Sequence, residues 1–155
     1  MSSRTRLAAL SLAVAAFAPL IACAQPLPGA HPAYLHALTD LRAARWMLYH
    51  QPGDDKVFAE EDVGIREIDA TIAEIKAAAI DDGKDIGDHP NVDVHEHGSR
   101  LLRAIESLEK AKADISREED NPQSRQLRHR ALEHLDRAIH ATKSAHAHWL
   151  KDMGR

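Results

Sequence analysis

The sequence predicts an all-α protein, an antiparallel up-down four-helix bundle behind a cleaved N-terminal signal segment. Three observations lead there. Four segments carry apolar residues at alternating spacings of three and four, the period of one helix face. No stretch alternates as a strand would. The first residues read as a basic, then apolar leader rather than as part of the fold.

The leader opens with Arg4 and Arg6, and Leu7 to Ile21 is apolar and uncharged. That run is short of the ~20 residues of a comfortable membrane span. Small residues follow at Ala22-Cys23-Ala24. Two processing outcomes compete. Cleavage after Ala24 makes residues 1–24 a signal peptide. Leu20-Ile21-Ala22-Cys23 also resembles a bacterial lipobox, in which residues 1–22 are removed and Cys23 is lipidated. Residues 25–30 (QPLPGA) then form a Pro/Gly tether, and 31–152 the bundle domain. The expected location is the periplasm or beyond, with membrane contact only through the Cys23 anchor.

The first helix runs from about Pro32 to His50, with proline tolerated at its first position. Tyr34, Leu35, Leu38, Leu41, Arg45 and Leu48 form its seam, and Pro52-Gly53 ends it. The second runs from about Lys56 to Asp82, with Ile65, Ile68, Ile72, Ile75 and Ala79 on the seam and Gly83 as its stop. The third starts at Asp93. Asp93-Val94-His95-Glu96 fits a capping box, with Val92 placed for the staple. Leu101, Ile105, Leu108, Lys112 and Ile115 continue it. The fourth opens on Asn121-Pro122, a cap followed by proline. Leu132, Leu135, Ile139, Thr142, His146 and Trp149 form its seam, and Leu127, Ala131, Ala138 and Ala145 flank it. Four such helices on ~125 residues make one bundle.

Composition narrows the chemistry. Cys23 is the only cysteine, which argues against thiolate zinc sites, iron–sulfur clusters and covalent haem. The leader holds two of the 20 basic residues and none of the 24 acidic ones, so the charge of −4 becomes −6 without it. That disfavours nucleic acid, whose phosphates need a basic surface. With its 11 histidines protonated the same chain would carry +5. The sign change falls within about pH 5 to 7.

Histidine is also the commonest metal ligand. In an up-down-up-down bundle, the start of helix 1, the helix 2–3 connection and the end of helix 4 share one pole. His31, His36, His89, His95, His97, His140, His146 and His148 fall toward it, His50 and His129 toward the other, and His134 between. The helix 2–3 connection adds Asp81, Asp82, Asp85, Asp88, Asp93 and Glu96. Carboxylate with imidazole suits Zn²⁺, Cu²⁺ or Ni²⁺, with His36, His89, His95, His97 and His146 as candidate ligands. The chain contains no His-x-x-x-His pair, so such a site needs convergence across helices. The acidic connection is no EF-hand, because Ile86 stands where glycine is required. Met47 and His129, or His50, would meet at one pole of an up-down bundle to hold a non-covalent haem, but few aromatic residues exist to line its pocket.

Catalytic signatures are absent: no Gly-x-Ser-x-Gly, no phosphate-binding glycine loop, no His-Glu-x-x-His. The expected role is therefore non-enzymatic, a binding or interaction module whose partner is a protein or a metal ion.

Four stretches together carry a resemblance: HPAYLHALTDLRAARWML at 31–48, AAAIDDGKDIGDHP at 77–90, EEDNP at 118–122 and LRHRALEHLD at 127–136. They resemble a group of small exported bacterial helical proteins of unknown activity, over most of residues 31–140. The resemblance implies export and helical architecture, and no activity. No LTxxQ-type repeat is present, so the chain is not assigned to the periplasmic stress-chaperone helical family.

Overall fold

The computed structural model describes residues 32–54, 56–78, 82–117 and 122–154. The leader, the tether, Cys23 and His31 lie outside them. Four helices form among the described residues: α1 (Pro32–Leu48), α2 (Ala59–Ala77), α3 (His97–Arg117) and α4 (Pro122–Asp152). Among the described residues there is no strand. No described helix is long and apolar enough to cross a membrane.

The helix boundaries follow their caps. α1 stops at Leu48, ahead of a turn in which Gly53 takes φ 99°. α2 begins at Ala59, later than the sequence predicts, because Glu61 Oε1 accepts the Phe58 N–H at 2.8 Å. Glu60, Glu61 and Asp62 then sit at the positive end of the helix dipole. α3 also starts late. The predicted box put Glu96 inside the first turn; instead its carboxylate is the cap, accepting the N–H groups of Gly98 at 3.0 Å and Ser99 at 2.6 Å.

The bundle is confirmed, but its helix order is not the predicted one. α1 packs on α2 and α3, and α4 packs on the same two. The pairs α1/α4 and α2/α3 lie across the diagonals. Contacts between neighbours fix direction. Arg45 meets Asp69 and Leu48 lies against Gly64, so α1 and α2 are antiparallel. Arg100 reaches Met47 while Asp40 faces Lys110, so α1 and α3 are antiparallel too. Glu74 pairs with Arg130 and Glu60 with His148; Lys112 pairs with Asp136 and Gly98 lies under Trp149. Hence α4 is antiparallel to both α2 and α3. The directions run up, down, down, up, and α2 and α3 are parallel.

Parallel neighbours in sequence need a return along the bundle. Residues 82–96 lie along it as a strap over α1. Arg42, only 1% exposed, holds the strap through paired hydrogen bonds to Asp82 at 2.6 and 2.8 Å and one to the Lys84 carbonyl. The Arg42 bonds outweigh the effect of burial and lower the Asp82 carboxyl below its usual range. Farther along, the His89 ring stands 5.0 Å from Trp46, and Val92 packs on the core.

The core is aliphatic and alanine-rich. Leu38, Leu41, Leu48, Ile68, Leu101, Leu108, Ile115 and Leu135 are fully buried, and Ala44, Ala104, Ala111, Ala138 and Ala145 let the helices close in. Thr142 is buried on the seam as predicted, but two other polar seam positions are corrected. Arg45 leans out to Asp69 and Lys112 to Asp136, while Arg42, Glu61 and Arg100 are the buried ions.

Candidate functional site

At one pole the α1–α2 turn, the start of α3 and the end of α4 converge. Arg100 organises it. Its guanidinium, 2% exposed, donates from Nε to the Met47 carbonyl at 3.3 Å, from one terminal nitrogen to the His95 carbonyl at 3.0 Å, and from the other to Asp54 at 2.5 Å. It thus closes the C-terminus of α1, anchors the strap and holds the turn. Asp54 also accepts the Gln51 N–H at 2.8 Å. Burial pushes its carboxyl up, but the Arg100 and Gln51 hydrogen bonds outweigh this and hold it below the usual range.

A second buried pair lies beside it. His97 Nε2 meets Glu61 Oε2 at 3.0 Å, with the side chains 8% and 1% exposed. Glu61 is therefore shared between the start of α2, through Phe58, and the start of α3. In the neutral tautomer that donates from Nε2 to Glu61, Nδ1 offers a lone pair. Nδ1 makes no hydrogen bond among the described residues.

Aromatic rings surround this pair. The Phe58 centroid is 6.4 Å from that of His97 and 5.9 Å from that of His148. Trp149 lies flat over Gly98, where a Cβ would come within 2.5 Å of its ring, so only glycine allows that contact. The His146 ring is stacked with that of Trp149, centroids 6.2 Å apart and planes 7° from parallel. Between these walls is a cavity of about 490 Å³, lined by Pro52, Phe58, His97, Trp149 and Met153 and by the charged Asp54, Lys56, Glu96 and Asp152.

No known protein family, curated protein or solved structure matches this chain.

The helix directions redistribute the histidines. His95, His97 and His146 do share a pole, together with His148 and with His50, which the sequence reading placed at the other end. His36 is exposed at the opposite pole, near the start of α1. His89 is on the strap, its Nδ1 2.8 Å from the Pro90 carbonyl. His95 is exposed beside Asp93. Because α1 and α4 are parallel, Met47 and His129 lie at opposite ends, and that pairing for a haem is overturned, while His50 stays at the Met47 pole. Among the described residues no group of three or more His, Cys, Asp and Glu is arranged to hold a metal ion. His97, the one candidate ligand that is buried, has Glu61 as its partner instead.

The sequence reading missed Asp54, Lys56, Phe58, Glu61 and Arg100. Only Glu61 left a trace, as the acid three residues after Phe58 at a helix start. A buried arginine carries no periodic signal of its own.

Proposed function

We propose that this protein is an exported, non-enzymatic binding module that takes its ligand at the Phe58–Trp149 pole. The observation that carries this is the cavity of about 490 Å³, which falls in the size range of small-molecule sites. It joins apolar walls to a few fixed polar groups, the usual composition of such sites. The Asp54–Arg100 and Glu61–His97 pairs beneath it tie three chain segments together and pre-organise its floor.

Export enters this reading through the leader. The mature chain then begins at Gln25, or at a lipidated Cys23 that holds the domain to a membrane through the short tether. Mass spectrometry of the mature chain from a fractionated bacterial host separates the two, and a chain retaining residues 1–22 in the cytoplasm overturns export. For the binding site, a small-molecule panel is followed by thermal shift. Ligands that perturb wild type and lose their effect in Trp149→Ala support the pole; ligands insensitive to that change place binding elsewhere.

A further inference from the structure

The site's own Lys56 indicates the chemistry of its ligand. The Lys56 ammonium stands 5.1 Å from the Phe58 ring centroid and is ion-paired with Asp152. An aromatic face and a carboxylate thus already form a seat for a cation, and a primary ammonium occupies it. The seat is easily vacated: Lys56 is 59% exposed and Asp152 44%, and ion pairs held in water are weak.

The neighbouring groups favour the same charge. With the neutral ring donating from Nε2 to Glu61, His97 Nδ1 is an acceptor, and it makes no other hydrogen bond among the described residues. Asp54 and Glu96 add carboxylates to the cavity wall. The N–H groups of Gly98 and Ser99 at the start of α3, which would otherwise welcome an anion, are taken by Glu96.

We propose that the cavity binds an organic cation, a protonated amine with an apolar body. Its ammonium displaces Lys56, lies over Phe58, and donates to the Asp152 carboxylate and to His97 Nδ1. Its apolar body rests against Trp149 and Met153. This rests on the cavity being the binding site, as proposed above.

The test uses the mature protein and three probes of one shape: hexylamine, hexanol and hexanoate, with Trp149 fluorescence and calorimetry as readouts. Hexylamine is expected to bind tighter than both others. Lys56→Ala, an exposed change that leaves the fold intact, is expected to tighten hexylamine by about 3- to 10-fold by removing the internal competitor. Asp152→Asn is expected to weaken it, and Phe58→Leu to weaken it by about tenfold. If Phe58→Leu fails to fold, the two exposed variants carry the test alone. Hexanol or hexanoate binding as well as hexylamine, or no gain in Lys56→Ala, overturns the cation proposal while leaving the cavity as a binding site. Failure of all three probes to bind either protein overturns both.

Discussion

Glu61 and His97 are 36 residues apart in sequence and 3.0 Å apart in the bundle. The same carboxylate accepts the Phe58 N–H. One side chain therefore joins the starts of α2 and α3, two parallel helices that barely touch elsewhere. Glu61→Ala strands both a backbone donor and an imidazole in the interior. It is expected to cost about 3 kcal/mol in urea denaturation, and Glu61→Gln, which keeps an acceptor, about 1 kcal/mol. Equal losses in the two variants would show that the carboxylate's contacts are not what matters.

Arg100 makes three bonds in three directions, which a lysine cannot reproduce. Arg100→Lys and Arg100→Met are both expected to lose about 3–5 kcal/mol, much of it from leaving Asp54 buried without its partner. Adding Asp54→Asn to Arg100→Met is then expected to recover part of the loss. A double-mutant cycle measures this, and strict additivity would show the two residues to be uncoupled.

Gly98 and Gly64 are both helical glycines, where alanine ordinarily gains about 1 kcal/mol. At Gly98 the new Cβ lies 2.5 Å from the Trp149 ring, which must leave its seat. A net loss of about 1–2 kcal/mol and a red-shifted Trp149 emission are expected. At Gly64 the nearest atom is a Leu48 methyl at 2.9 Å, the end of a flexible side chain. Gly64→Ala is expected to be closer to neutral, and thermal melts of the two variants compare them directly.

Acid stability follows from the carboxylates. Asp54, Glu67, Glu74, Asp82 and Glu96 all titrate below their ordinary values in the folded chain. Each contributes stability that is present above its unfolded pKa, 3.8 for Asp and 4.5 for Glu, and that is lost as pH falls through the lower folded value. Asp40 works the other way, because burial raises its carboxyl despite Lys110 nearby. The melting temperature is expected to fall steeply below about pH 4, and Asp40→Asn to lessen the cost of that burial at pH 7. A flat melting profile from pH 7 to pH 3 would contradict the depressed carboxylates.

Arg42 and Asp82 clamp the strap against α1. Asp82→Asn removes the charge and loosens the strap without touching the core. Backbone amides of residues 84–89 are expected to exchange about tenfold faster in that variant while α3 and α4 keep their protection. Hydrogen exchange with mass spectrometry reads this segment by segment. Uniform acceleration would mean that Asp82 supports the whole bundle.

The sequence by itself determined that the protein is helical, that there are four helices, and which aliphatic residues make the core. Ile68, Ile72 and Ile75, or Leu101, Leu108 and Ile115, are legible because an apolar residue every three or four positions can only be one buried face. Periodicity says nothing of the direction in which a helix runs. Only the tertiary structure decided that α2 and α3 are parallel. The length of the connection between α2 and α3 is the single hint, and its composition marks it only as acidic. That decision separated His36 from His95, His97 and His146 and brought His50 to them. It also buried Arg42, Arg100 and Glu61, which no pattern of apolar residues reveals. An ion enters a core only where partners from other segments meet it, and those meetings are made by the fold.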